Sequence, residues 1–233
     1  MKMQSNPLLK QPRPKVAYKF YATLLDSFSW YLKSEREEAF QEFIDKLNRV
    51  PFSSEAAEKG TAFNELVDEI NAGSRYQVSE KGMIEYNGFK FKEPVVAHFV
   101  ERYRQATPQV HTEGVLETAR GPVLLYGYID ELEAGQAHDI KCTGKYNFPK
   151  FLHNWQHLVY PFCLQQQGVP SEYFTYEITD YSNLYREEYQ FKRERDMVKL
   201  QGHCEHLIDF IETHRHLITD RKLFALDNEP VSA

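Results

Sequence analysis

Cysteine is scarce in this chain of 233 residues, and long apolar runs are missing. The three cysteines, Cys142, Cys163 and Cys204, are scattered and odd in number, which argues against a disulfide framework and against a structural zinc site. No apolar stretch reaches the roughly 20 residues that a membrane-spanning helix needs. We therefore expect a cytoplasmic protein that does not engage a membrane.

An excess of positive charge is missing as well. The formal net charge is −6 at pH 7 and the sequence pI is about 5.9. This excludes a generally basic surface for nucleic acid, so any contact with a polyanion must come from a local patch. Internal repeats and low-complexity blocks are also missing. Hydrophobic residues make up 42% of the chain, which is enough for the core of one large domain.

The most informative stretch is 123–143, which predicts two β-strands joined by a turn. Residues 123–132 are mostly apolar, β-branched or aromatic, and Gly135 marks the turn. Residues 137–143 then form the second predicted strand. The pattern therefore predicts a β-hairpin in the middle of the fold.

The predicted hairpin carries three charged residues with a chemical meaning. Asp139 and Lys141 are two apart, so they share one face of their strand, while Ile140 points into the core. A hairpin brings Asp130 close to Asp139. Two adjacent carboxylates repel each other, and a divalent cation removes that conflict. Hard oxygen ligands suit Mg²⁺ or Mn²⁺.

Asp130 followed by residues 139–141 resembles the catalytic signature of the PD-(D/E)XK nuclease superfamily. Two flanking segments are similar to motifs of the branch that contains RecB-type nuclease domains, lambda-type exonucleases and CRISPR-associated exonucleases. Residues 156–160 resemble its Q-x-x-x-Y helix, and residues 60–68 resemble its G-x-x-x-H helix. A lone D-x-K has little specificity, whereas the ordered set of four motifs is fairly specific.

The resemblance implies a restriction-endonuclease-like core. We expect an α/β (α+β) fold in which a central mixed β-sheet is flanked by helices, with N- and C-terminal helical additions. We interpret residues 1–15 as a flexible arm and residues 16–233 as a single nuclease-like domain. The catalytic core would span about 60–180, and a C-terminal helical extension about 185–225.

The resemblance also implies a role for each site residue. Asp130, Asp139 and the backbone carbonyl of Ile140 would bind Mg²⁺ or Mn²⁺. Lys141 would position the attacking water or stabilise the transition state, and Gln156 would orient the site. Some members of this branch hold an iron–sulfur cluster with four cysteines, and we expect no such cluster here.

One position departs from the resembled pattern. Asn64 stands where the motif has a metal-binding histidine. Its amide oxygen can touch a hard cation or a water, and it can equally be a helix-surface residue without a role. Lambda-type enzymes use an acidic residue on this helix, so Glu65 is our candidate ligand and Asp68 its alternative. Glu113, on a predicted strand over 109–118, is a weaker candidate.

Three further residues are candidates for holding nucleic acid. The resemblance implies that Tyr160 helps to hold DNA. Lys145 and Lys150 precede its helix and can meet phosphates, although exposed lysines need no such role. A helix over 23–32 is expected to dock beside the active site. The remaining patterns predict helices over 34–48, from 61 onward, 94–104, 147–167 and 197–217, a hairpin over 84–91 and a strand over 172–179.

Together these patterns predict a Mg²⁺- or Mn²⁺-dependent deoxyribonuclease, an exonuclease of phage or mobile-element recombination or repair. The expected partner is DNA; a recombination or single-strand-binding protein and a homo-oligomer stay open. Two alternatives remain: a catalytically degenerate domain that binds DNA or a protein, which Asn64 favours, and a metal-dependent enzyme acting on another substrate. The sequence leaves strand polarity, exo- or endonuclease action and DNA against RNA undecided.

Overall fold

A computed structural model describes residues 16–225 of the chain. Six strands form a central mixed sheet, and two more form a separate hairpin. The elements, in chain order, are β1 (Tyr18–Tyr21), α1 (Ala22–Lys33), α2 (Ala39–Leu47), α3 (Glu55–Asn71), β2 (Met83–Tyr86), β3 (Phe89–Lys92), α4 (Glu93–Arg102), β4 (Thr107–Leu116), β5 (Val123–Glu133), β6 (Gln136–Cys142), α5 (Gln156–Gln166), β7 (Tyr173–Thr179), β8 (Leu184–Gln190) and α6 (Arg193–Thr213).

The long strand β5 organises the sheet. Strand β4 runs antiparallel along one edge of β5 for nearly its whole length. The other edge is shared, because β1 pairs in parallel with residues 123–126 and β6 pairs antiparallel with residues 131–133. Residues 127–130 therefore have no strand partner on that edge within the described part of the chain. We call this interval the β5 gap.

Beyond β5 the sheet continues through β6, β7 and β8. Strand β7 is parallel to β6, and β8 is antiparallel to β7. One face packs against α1, α2, α5 and α6 in the main hydrophobic core, and the other packs against α3, α4 and the β2–β3 hairpin. Strand β6 serves both sides, since Ala137 belongs to the main core and Ile140 to the second cluster.

The predicted fold class is confirmed: the protein is a mixed α/β fold with a central mixed sheet flanked by helices. Local signals were accurate where turn and cap chemistry was explicit. Asn87 and Gly88 form the turn of the β2–β3 hairpin with φ angles of 47° and 80°. Ser54 caps α3 by accepting a hydrogen bond from the Ala57 N–H at 3.2 Å.

Two predicted segments are wrong in part. The helix predicted from residue 147 begins only at Gln156. Pro149 disfavours helical backbone at the residue before it, and the N–H groups of Lys150 and Phe151 bond to the Glu187 carboxylate instead of to a helix. The proposed helical extension over 185–225 starts with strand β8, whose dense charges concealed a strand.

Two further expectations concern the N-terminal arm and the membrane. The predicted flexible arm, residues 1–15, lies outside the described residues. Among the helices within residues 16–225, none combines the length and the apolarity needed to cross a membrane.

Candidate active site

Asp130 lies at the end of the β5 gap, where backbone pairing stops on both edges of the strand. On the β6 side the ladder ends one register position before Asp130 and Asp139. On the β4 side Gln109, with a φ of 52°, interrupts the ladder opposite Asp130. The Asp130 carboxylate instead accepts a hydrogen bond from the Ile140 N–H at 3.1 Å. The Asp130 side chain thus connects β5 to β6 where backbone pairing between them ends. This contact brings Asp130 close to residues 139–141, as the predicted hairpin implies.

Two neighbours fix the Asp139 carboxylate, which is only 2% exposed. The Lys141 ammonium lies 2.7 Å from Oδ2 of Asp139. The Gln156 side-chain amide donates a hydrogen bond to Oδ1. Because α5 begins at Gln156, the start of this helix carries the amide directly to the site. The structure therefore brings together Asp130, Asp139, Lys141 and Gln156, the four residues predicted to be catalytic.

The charges of this cluster are not balanced. Burial and the nearby Asp139 together raise the pKa of Asp130 to about 7, against the lowering effect of Lys141. Burial lowers the pKa of Lys141, but the attraction of Asp139 and Asp130 outweighs this effect and raises it overall. One ammonium thus faces two buried carboxylates. Such an arrangement gains stability when a further positive charge approaches.

Asp26, on α1, belongs to the same neighbourhood, although the sequence pattern did not point to it. Its carboxylate accepts a hydrogen bond from the Trp155 N–H at 2.5 Å, one residue before Gln156. Burial, with a smaller contribution from Asp139, raises the pKa of Asp26 to about 6, although the Trp155 N–H and Lys141 lower it. The expectation that the helix over 23–32 docks beside the site is therefore confirmed. An acidic residue within the apolar run of α1 was the available signal.

Helix α3 places its three polar candidates in different surroundings. The Asn64 amide nitrogen lies 3.5 Å from the Ile140 carbonyl oxygen, and Oδ1 of Asn64 is buried and accepts no hydrogen bond from any residue in 16–225. Glu65 is exposed and accepts a hydrogen bond from Asn87 in the β2–β3 turn. Asp68 instead hydrogen-bonds to Glu131 and is close enough to raise the pKa of Asp130. Asn64 and Asp68 thus approach the site, whereas Glu65 faces the hairpin.

Tyr160 lies one helical turn after Gln156 and is 4% exposed. Its ring packs on Gly127 in the β5 gap, so closely that a Cβ at Gly127 would lie 2.6 Å from it. Burial raises the pKa of Tyr160, and Asp139 and Asp130 raise it further. The tyrosine is therefore part of the floor of the gap, and only its edge is available to a ligand.

The other predicted contacts lie farther out. Lys145 and Lys150 are exposed on the loop between β6 and α5, and the Lys150 ammonium donates a hydrogen bond to the Lys145 carbonyl at 2.8 Å. Glu113 lies on β4 opposite Tyr126, where it lines a surface cavity rather than the hairpin site. A phosphate-binding role for the two lysines stays a prediction.

The donor chemistry of the cluster fits a hard divalent cation. Within residues 16–225 no group of three or more His, Cys, Asp or Glu side chains could hold a metal ion. The oxygens beside Asp139 are of mixed type, namely two carboxylates and the Ile140 carbonyl, and the Asn64 side chain, whose Oδ1 has no partner in residues 16–225, reaches this carbonyl with its amide nitrogen. Such all-oxygen sets suit Mg²⁺ and Mn²⁺, which keep several water ligands and need few protein ligands.

Comparison with known proteins adds evidence at the level of the fold. No family model and no curated protein matches the chain. Its structure is similar to the crystal structure of a protein from Eubacterium rectale named "putative exonuclease", with 14% identity, a TM-score of 0.51, and coverage of 100% of this chain and 96% of that chain. It is also similar to the crystal structure of SSO0001, with 12% identity, a TM-score of 0.48, and coverage of 87% and 80%. The Eubacterium rectale match supports the mixed α/β fold.

Proposed function

We propose that this protein is a Mg²⁺- or Mn²⁺-dependent deoxyribonuclease of the PD-(D/E)XK type, which hydrolyses phosphodiester bonds. One observation carries the proposal. Asp130, Asp139 and Lys141 were predicted to meet from spacing alone, and they lie together at the β5 gap with Gln156 bonded to Asp139. A largely desolvated group of two carboxylates and one ammonium, with Asp139 only 2% exposed, is costly to maintain without a function.

Asp130, Asp139 and the Ile140 carbonyl would hold the cation, with Asn64 Oδ1 as a further oxygen near this carbonyl. A divalent cation bound there polarises a phosphate oxygen and lowers the pKa of a coordinated water. Glu65, the predicted ligand on α3, instead accepts a hydrogen bond from Asn87 in the β2–β3 turn.

The protein's own residues would supply the remaining functions. The Lys141 ammonium has three N–H donors, and Asp139 engages this group at 2.7 Å. The other donors can orient the attacking water or a non-bridging phosphate oxygen as negative charge grows in the transition state. Gln156 restrains the Asp139 carboxylate, and the Asp26 bond to the Trp155 N–H fixes the start of the helix that carries Gln156.

Exonuclease action in phage or mobile-element recombination or repair is the finer form of the proposal. The resembled motifs support it, and the Eubacterium rectale protein, which shares the fold, is itself named a "putative exonuclease". A recombination partner and a homo-oligomeric assembly remain predictions of the same resemblance.

The direct test is cleavage of end-labelled linear DNA and closed circular DNA with Mg²⁺ and with Mn²⁺. We expect metal-dependent cleavage by the native protein, with loss in Asp139→Asn and Lys141→Ala. Glu80→Gln, an exposed carboxylate on the α3–β2 connection, is the matched control and should cleave normally. Circular dichroism would check that the variants fold. Normal cleavage by both site variants would remove the assignment.

A degenerate, non-cleaving domain is the second candidate, and one observation favours it. Asn64 replaces the histidine of the resembled motif, and within the described residues the site lacks a third ligating carboxylate or imidazole. This candidate predicts DNA or protein binding without metal-dependent turnover. The same cleavage assay, paired with a Mn²⁺ titration, separates the two.

A further inference from the structure

A basic cavity lies beside the β5 gap, on a chain that is acidic overall. Its volume is about 720 Å³, and it is bounded by β1, β4, β5, the residue after α2 and the final described turns. The lining includes the cations Lys19, Arg49, Arg221 and Lys222 but only two carboxylates, Glu113 and Asp220. Asp220 is already paired with Arg49 at 2.6 Å. This local excess of positive charge opposes the net charge of −6 and would attract a polyanion.

The basic cavity continues toward the candidate active site. A smaller cavity of about 240 Å³ shares Arg49 and Tyr126 with it, and is also lined by Tyr128 and Tyr160. Tyr126 and Tyr128 are two residues apart on β5, so their side chains project from the same side of the strand, and Asp130 follows two residues farther along. The two cavities together form a path from Lys222 to Tyr128, two residues before Asp130 on β5. We call this path the β5 track.

Aromatic rings lie along the β5 track where a nucleobase could stack. Tyr128 is 58% exposed, unusually high for a large ring on a sheet, and its centre is 5.1 Å from the His111 ring. The Arg49 guanidinium lies 5.3 Å from the centre of the Tyr21 ring and donates a hydrogen bond to the Tyr126 hydroxyl at 2.9 Å. Exposed aromatic rings between cations are typical of surfaces that bind single-stranded nucleic acid.

The end of α2 sets the direction of Arg49. Arg49 has a φ of 54°, and its N–H donates a hydrogen bond to the Lys46 carbonyl while the Val50 N–H donates one to the Asp45 carbonyl, a common way for a helix to end. The Arg49 side chain is then held over the sheet by Asp220 and Tyr126. These contacts orient its guanidinium toward the cavity.

We propose that the β5 track binds one unpaired strand of nucleic acid. Its phosphates lie along Lys19, Arg49, Arg221 and Lys222, and a base stacks on Tyr128 next to the scissile position. A single strand fits better than a duplex, because the Tyr128 ring can stack only on a base freed from pairing. The track is distinct from Lys145 and Lys150, which lie on the loop after β6. The inference rests on the proposed function only where it places the bound strand next to a scissile position, since binding itself does not require cleavage.

The test measures binding of fluorescein-labelled oligo(dT) by anisotropy in EDTA, where metal-dependent cleavage cannot interfere. The variant Lys19→Gln/Arg221→Gln/Lys222→Gln removes three charges from the β5 track. The matched control Arg75→Gln/Lys81→Gln/Lys90→Gln removes three charges from exposed positions around the β2–β3 hairpin. We expect the track variant to bind at least about tenfold more weakly at low salt, with a shallower salt dependence by roughly 0.7 per lost phosphate contact. The control should bind like the native protein.

A second pair of variants tests the stacking ring without altering charge. Tyr128→Ala should weaken oligo(dT) binding by roughly tenfold, and Tyr128→Phe should preserve it, because the aromatic face supplies the interaction. Duplex DNA should compete poorly in both cases. Equal losses in track and control variants, unchanged binding in both track variants, or no binding by the native protein would overturn the inference.

These results separate the inference from the proposed nuclease activity. Tight, track-dependent binding by a native protein that does not cleave DNA supports the β5 track and rejects the nuclease. Metal-dependent cleavage with binding that is indifferent to the track variants supports the nuclease and rejects the track.

Discussion

Two neighbouring pairs of carboxyl groups, Asp130–Asp139 and Asp68–Glu131, satisfy their charges in different ways. Asp130 and Asp139 are joined by Lys141, Gln156 and a backbone N–H. Asp68 and Glu131 hydrogen-bond to each other, and within residues 16–225 neither forms an ion pair. Burial, followed by the effect of Asp68, raises the pKa of Glu131 to about 9. The second pair therefore shares a proton at neutral pH.

The two pairs differ in what offsets the repulsion between their carboxyl groups. When two carboxyl groups share a proton, the repulsion between them is relieved without a cation. The pair containing Asp139 instead receives one ammonium and directed donors, and the buried oxygen of Asn64 lies nearby without a partner in the described chain. We infer that the Asp68–Glu131 pair supports the structure, and that the Asp130–Asp139 pair is the chemical centre.

The largest expected effect is the loss of Lys141. Among the described residues Lys141 is the only cation in contact with the Asp130–Asp139 pair, and Lys141→Ala also removes a donor to the developing negative charge, so cleavage should fall on the order of 10³-fold. Lys81→Ala, at an exposed position beside the β2–β3 hairpin, is the comparison and should leave cleavage nearly unchanged. Single-turnover rates on linear DNA would measure both. Comparable losses in the two variants would erase the distinction between the site and its surroundings.

The next effect contrasts the two pairs directly. Asp130→Asn should remove a metal ligand and abolish metal-dependent cleavage, whereas Glu131→Gln mimics a group that is already protonated and should retain most of the rate. Cleavage assays at several Mn²⁺ concentrations would compare the two variants. If Glu131→Gln were as inactive as Asp130→Asn, the assignment of the Asp68–Glu131 pair to structure would be wrong.

Stability against pH gives a smaller effect with a defined sign. The pKa of Glu131 is about 9 in the folded protein against an ordinary 4.5, so the folded state keeps a proton that the unfolded chain releases. Stability from this group is therefore present below about pH 4.5 and is lost as pH rises toward 9. Glu131→Gln should remove that decline and gain at least about 1 kcal/mol near pH 8. Urea unfolding of the native protein and of Glu131→Gln, in EDTA at pH 5 and pH 8, measures the free energy of unfolding. Parallel dependence of this free energy on pH in the two proteins would contradict the prediction.

The smallest expected effect concerns Asn64. Asn64→His restores the residue type of the resembled motif beside the Ile140 carbonyl, so Mn²⁺ affinity should rise severalfold. Asn64→Leu, which is of similar size but has no oxygen to bind a metal, should lower the Mn²⁺ affinity. Calorimetric titration would show the order of the three proteins. Equal affinities would mean that Asn64 has no metal contact.

The sequence predicted the centre of the site because its geometry is local. Ten residues and one turn bring Asp130 to Ile140, and side-chain alternation puts Asp139 and Lys141 on one face. Asp26 could not be found in this way. Its contact with the Trp155 N–H joins residues 129 positions apart and depends on how α1 packs against α5.

Other features were hidden for related reasons. The loop before α5 is held by hydrogen bonds to the Glu187 carboxylate on β8. The many charged residues of β8 concealed its place in the sheet. The β5 gap arises because β1 and β6 stop short of each other on one edge of β5. Strand ends set by tertiary packing of this kind carry little local signal.

The most direct test of the account is the position of the metal. Crystals of the native protein soaked in Mn²⁺ should show an anomalous difference peak between the carboxyl groups of Asp130 and Asp139, near the Ile140 carbonyl, and crystals of Asp139→Asn should show none. A peak at the Asp68–Glu131 pair instead, or the absence of any peak at saturating Mn²⁺, would contradict the claim that the β5 gap gathers its oxygens around a divalent cation.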